Sequence, residues 1–193
     1  SNADPRLRDS AERMLEVLDE AAQVPSGPFL TVIMRTQARK LEALRDALLT
    51  LLGQSDQDFE LIIVGHDLEE KEGESVRAIV EEQPASFRQR ITYLAVHGGG
   101  RARPLNEAID SASGQYFAVF DDDDLVLGHW VETFHTASQE QPERLVRAIA
   151  STQSVQGETW RGGVDGFRTS SWPDTPYPQV FEYEHHLVRN HSP

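Results

Sequence analysis

A chain of 193 residues with 32 acidic against 18 basic side chains carries a formal charge of −14, which repels a phosphate backbone and, with no basic stripe to offset it, speaks against a nucleic-acid partner. It has no cysteine, so disulfides and thiolate metal sites are excluded. Its longest apolar runs, such as "LIIV" at 61–64, are far too short for a bilayer span; a soluble, cytoplasmic protein with one well-buried core is expected.

The opening "SNA", residues 1–3, reads as the scar of a cleaved tag. Residues 4–24 follow with Leu7, Ala11, Met14, Leu15, Leu18 and Ala22 at helical spacing, an amphipathic helix that "VPSGP" would end. Residues 28–193 are then read as one domain. In it "FLTVIM" (29–34) has the β-branched and aromatic character of a strand, and Leu41, Leu44, Leu48 and Leu51 mark one face of a helix closed by Gly53. The unit repeats. "FELIIV" (59–64) precedes a charged helix with Val76, Ile79 and Val80; "ITYLAV" (91–96) precedes one with Leu105, Ala108, Ile109 and Ala112; "YFAVF" (116–120) precedes one around Trp130, Val131 and Phe134. Short apolar strands alternating with amphipathic helices predict an α/β fold: a mostly parallel open sheet with helices on both faces.

Past Arg144 the pattern weakens. "RLVRAIAST" is a candidate strand, the Gly- and Pro-rich stretch from Gln156 to Pro178 a hairpin or ordered loop, and "QVFEYEHHLVRN" a short final helix. His185, His186 and His191 sit near one another without a zinc-type spacing and are read as surface residues, while His97 and His129 are read as ordinary residues and not as bases.

In open parallel sheets ligands gather beyond the carboxyl ends of the strands. Three polar clusters lie there: "RTQAR" after the first strand, "GHD" after the second, and Asp121–Asp124 after the fourth. Four adjacent carboxylates repel one another. One aspartate is enough for a helix N-cap, whereas a hard divalent cation prefers one or two carboxylates shared with waters and phosphate oxygens. If the strand stays extended, Asp121 and Asp123 face the same side and can share one Mg²⁺ or Mn²⁺. The solvated cap stays open as the other reading.

The order of these motifs, "FLTVIMRT", "QSDQDFELIIVGHD" and "ITYLAVHGGGRARPLNEAIDSASGQYFAVFDDDDLV", resembles the family 2 glycosyltransferases, inverting enzymes with the Rossmann-like GT-A fold. The resemblance covers residues 28–140. It implies that Asp121 and Asp123 form the family's Asp-x-Asp metal motif, that Asp122 approaches the ribose, and that Arg35, Thr36 and Arg39 lie where the base and ribose are held. Asp67 would meet the base, although Gly65 and His66 stand where relatives carry two acids. "GGGRARPLN" would bring Arg101 or Arg103 to the phosphates, with Leu105 in place of the usual Arg. The implied activity is transfer of a sugar from a nucleoside-diphosphate sugar, UDP-type, to a glycan, lipid or small-molecule acceptor not identified from sequence.

The general base that the resemblance implies, an acidic stretch well downstream, has no counterpart here; Asp165 and Asp174 read as turn residues. The chain is therefore expected to hold the donor half and to stop before the acceptor and catalytic-base half. A non-catalytic nucleotide-sugar-binding or scaffolding domain, and a metal-dependent nucleotidyltransferase, are the alternatives; against the latter, no Gly-rich, Lys-bearing loop follows the first strand.

Overall fold

The computed structural model describes residues 27–140 and, beyond them, 148, 150–160, 164–169, 171, 173 and 174. The readings for residues 4–24, for "QVFEYEHHLVRN" and for most of "RLVRAIAST" fall outside the described residues. The chain divides into two units, Ser1–Pro142 and Glu143–Pro193.

In the first unit four strands, β1 (Leu30–Thr36), β2 (Phe59–His66), β3 (Ile91–Val96) and β4 (Tyr116–Asp121), form one sheet. Its order is β3-β2-β1-β4, and every neighbouring pair is parallel. Between them run α1 (Leu41–Leu52), α2 (Glu70–Glu81), the single turn α3 (Ala85–Arg88) and α4 (Ala102–Ser111), with α5 (Trp130–Glu140) after β4. Sequence periodicity missed only α3 among these, because four residues are too few to show a helical repeat.

The two central strands are covered on both sides, which is why they read as unbroken apolar runs. Val32, Met34, Leu61 and Ile63 share one cluster with Leu44, Leu48 and Leu51 of α1, Val76 and Ile79 of α2, and Val131 of α5. Ile33, Ile62 and Val64 point the other way, to Val96 and to Ala108 of α4. On the outer strand β4 the alternation is different. Phe120 is buried, while Phe117 and Val119 are each 54% exposed.

A polar lock fastens the amino end of the sheet. Glu60 accepts hydrogen bonds from Thr31 Oγ1 at 2.7 Å, from Ser113 N at 2.7 Å and from Ser113 Oγ at 2.9 Å. Burial by itself raises the Glu60 carboxyl, but these donors and the Gly114 backbone outweigh it, and the net position is below the ordinary glutamate range.

The second unit contains an antiparallel pair, β5 (Val155–Trp160) and β6 (Val164–Thr169), the hairpin expected in the Gly-rich stretch. Asp165, read from sequence as a turn residue, is instead a strand residue opposite Thr159. The Asp174 backbone pairs with Thr152 in an isolated antiparallel bridge, because a ladder satisfies the backbone groups that a turn leaves open.

Candidate functional site at the carboxyl edge of the sheet

β2 and β3 lie on one side of β1, and β4 lies on the other. The carboxyl ends of β1 and β4 therefore meet where the strand order reverses, the place at which open α/β sheets form a crevice. Thr36 ends β1 and is 2% exposed. Its Oγ1 donates to Asp122 Oδ2 at 2.5 Å and accepts from the Ala38 N–H at 3.0 Å. One hydroxyl thus ties the exit of β1 to the exit of β4 and fixes the turn toward α1, in which Ala38 takes a left-handed φ of 54°. Arg35, one residue earlier, stands opposite Asp121 in the parallel register.

The acidic run is not extended beyond Asp121. Asp124 N–H donates back to Asp121 O at 3.3 Å, so residues 121–124 close a turn, and strand alternation does not place Asp121 and Asp123 on one side. Nor does the run cap a helix: α5 begins at Trp130, six residues after Asp124. With the cap excluded, the repulsion is met by other means. Asp122 is held by Thr36, and Asp123 Oδ2 accepts from Lys40 Nζ at 2.6 Å in an exposed ion pair. That pair, first through the hydrogen bond from the ammonium to Asp123 and then through its charge, raises the Lys40 pKa. The Asp124 carboxyl is pushed above the usual range, by partial burial first and then by Asp121, Asp123 and Asp122.

Among the described residues no three acidic or histidine side chains converge closely enough to hold a metal by themselves. The donors present are exposed carboxylates, Asp121 and Asp123, hard oxygen ligands that suit a small dication completed by waters and substrate phosphates. The residues fit Mg²⁺ or Mn²⁺ in that shared form, provided that Lys40 releases Asp123.

A second cluster lies at the ends of β2 and β3. His66 is 4% exposed, and its Nδ1 lies 3.3 Å from Arg35 Nη1. Asp67, at a left-handed φ of 54°, donates its N–H to Val96 O at 3.0 Å and accepts the Gly98 N–H at Oδ1 at 2.6 Å. Gly98, Gly99 and Gly100 all have positive φ, 68°, 79° and 65°, a run that only glycine adopts without strain. This loop delivers Arg101 to the N-cap of α4, where helix amides and dipole favour an anion.

The structure brings some of the expected site residues together and leaves others apart. Arg35, Thr36, Asp67, Asp121, Asp122 and Asp123 lie at adjoining strand ends. Arg101 and Arg39 are exposed and have no side-chain hydrogen bond among the described residues. Arg103 is engaged within its own segment, with Glu107 at 3.2 Å and His97 O at 3.0 Å. The residue that sequence reasoning missed is Lys40. Its only signal was position, a cation just before a helix that starts near the end of β1.

The chain matches the family model described as glycosyl transferase family 2 over residues 31–185, farther than the stretch its motifs covered. It is 27% identical over 100 residues to an uncharacterised glycosyltransferase of Methanocaldococcus jannaschii, a match covering 52% of this chain and 33% of that protein. Among solved structures it resembles residues 1–349 of TarS from S. aureus in complex with UDP-GlcNAc, at a TM-score of 0.50 and 17% identity, over 70% of this chain and 41% of that one. It also resembles a mannosyltransferase from Pyrobaculum calidifontis in complex with GDP-Man and Mn²⁺, at a TM-score of 0.44 and 24% identity, over 52% of this chain and 29% of that one. The chain thus spans about a third of the length of the curated relative it matches. Among the described residues no helix is long and apolar enough to cross a membrane.

Proposed function

The chain belongs to glycosyl transferase family 2, and on that premise we propose that it binds a nucleoside-diphosphate sugar, UDP-type, at the carboxyl edge of β1, β2 and β4 and serves as the donor side of an inverting transfer to an acceptor hydroxyl; no described residue is assigned as the base that takes the hydroxyl's proton. In this reading Asp67 accepts from the base, Asp122, held by Thr36, orients the ribose, and Arg101 at the start of α4 meets the diphosphate. Asp121 and Asp123 would hold Mg²⁺ or Mn²⁺. When bound, the dication neutralises charge on the departing nucleoside diphosphate. For Asp123 to serve as a ligand, Lys40, which now holds it at 2.6 Å, would have to release it. A nucleotide sugar is the kind of ligand found in the TarS complex, which shares the fold.

The observation that carries this reading is the crowding of four aspartates at the end of β4, with no helix to cap, beside the reversal of strand order. Titration calorimetry with UDP, GDP and dTDP, each with Mn²⁺ and then with a chelator, tests it. Nucleotide affinity that requires Mn²⁺ and is abolished by Asp123→Ala is the expected result; no binding of any of the three refutes it.

A second reading, a nucleotide-binding domain without catalysis, is favoured by the Lys40–Asp123 pair, which supplies a cation of the protein's own at 2.6 Å. It predicts nucleotide binding that survives the chelator and is lost in Lys40→Met.

A further inference from the structure

His66 is enclosed at the end of β2, and its Nε2 has no hydrogen-bond partner among the described residues, although Asp67 Oδ2 lies 3.2 Å away. The distance is short enough, but the alignment is not. An unpaired buried polar atom costs free energy and calls for a reason. The tautomer follows from the other ring nitrogen. Arg35 Nη1, 3.3 Å from Nδ1, can only donate, so Nδ1 must offer its lone pair, and the proton of the neutral ring sits on Nε2. The unpaired atom is therefore a donor, facing the carboxylate of a residue that is half exposed, held in a left-handed backbone and fixed on its other oxygen by the Gly98 amide.

We propose that His66 is a positioning residue for base recognition: its Nε2–H closes onto Asp67 Oδ2 when a base with a ring N–H, the lactam edge of uracil or guanine, engages that carboxylate. This rests on the function proposed above and names the base class it selects. The line Arg35–His66–Asp67–Gly98 joins β1, β2 and the glycine loop. A carboxylate held at both oxygens keeps its remaining lone pairs aimed outward, and as an acceptor it favours a ring that carries N–H over cytosine, which has none at that ring position.

Two substitutions separate the donor from the packing. His66→Asn keeps a group that accepts from Arg35 but has no atom at the Nε2 position; His66→Gln restores an N–H there. With Mn²⁺ present, the unaltered protein is expected to bind UDP and GDP more tightly than CDP. His66→Asn is expected to lose on the order of tenfold in UDP affinity and most of the preference over CDP, with unchanged affinity for inorganic pyrophosphate. His66→Gln is expected to recover UDP affinity. If His66→Asn keeps the UDP-over-CDP preference, or if His66→Gln is as impaired as His66→Asn, the positioning role is overturned while the proposed function stands. If the unaltered protein binds none of the nucleotides, both fall.

Discussion

Thr36→Val keeps the shape of a buried side chain and deletes one hydroxyl, and that hydroxyl makes two hydrogen bonds, to Asp122 at 2.5 Å and from Ala38 N–H at 3.0 Å. A bond to a charged acceptor contributes about 1.5–3 kcal/mol, and a partly buried amide left without an acceptor costs about 1 kcal/mol or more. The expected loss is therefore about 2.5–4 kcal/mol, with no cavity term because the volume is conserved. In a domain of this size that lowers the melting temperature by several degrees. Stability alone does not show that the Asp122 bond is responsible, so the assay is a double-mutant cycle in chemical denaturation with Thr36→Val, Asp122→Ala and the pair. The coupling expected is about 1.5 kcal/mol, near the lower figure because Asp122 is partly exposed. Thr36→Val should also weaken UDP binding in Mn²⁺ about tenfold by freeing Asp122, whereas Thr36→Ser keeps the hydroxyl and the affinity. Additivity of the two single variants within about 0.4 kcal/mol, together with unchanged UDP affinity, refutes the argument that Thr36 sets the position of Asp122.

Lys40→Met removes an exposed cation from Asp123; Mn²⁺ binding without nucleotide, followed by the electron paramagnetic resonance of free Mn²⁺, should tighten severalfold with little change in melting temperature, and weaker binding contradicts the displacement. Glu60→Gln should lose about 1–2 kcal/mol near neutral pH. Because donors hold the Glu60 carboxyl below its ordinary range, its contribution is present above that range and disappears as pH falls through the lowered value, so the two melting curves should converge in acid. Asp124→Asn has the opposite sign. Its carboxyl is raised, so ionisation removes stability as pH rises; the variant should melt higher than the parent at neutral pH, equal it in strong acid, and show no gain at neutral pH if the repulsion is already relieved.

How much of this was legible depends on the range over which each signal acts. β1 and β2 were readable because both faces are buried, so nearly every residue from Leu30 to Met34 and from Leu61 to Val64 is apolar. The face of α1 was readable because Leu44, Leu48 and Leu51 recur at helical spacing and are all fully buried. For β4 the same logic located the strand but not its surroundings: in "YFAVF" the apolar character of Phe117 and Val119 suggested burial, yet both are more than half exposed. In the site, Thr36 and the aspartates were visible as polar residues at strand ends. The turn that redirects Asp122 and Asp123 was not, since it is set by one backbone bond from Asp124 to Asp121.

The contacts that organise the site join residues far apart in the chain: Lys40 to Asp123 across 83 positions, Thr36 to Asp122 across 86, Arg35 to His66 across 31. No local pattern encodes them. They follow from the strand order, which sets the exit of β1 between those of β2 and β4. The repulsion among the aspartates then has a definite distribution. A hydroxyl holds Asp122 and an ammonium neutralises Asp123, whereas Asp124, its carboxyl raised by partial burial and by its neighbours, is left with the repulsion, and Asp121 stays exposed at the end of the strand. Of the two compensations only the ammonium is an exchangeable charge. A dication entering beside Asp121 would therefore displace Lys40 first, which is why Lys40→Met separates a metal-assisted transferase from a domain that relies on its own lysine.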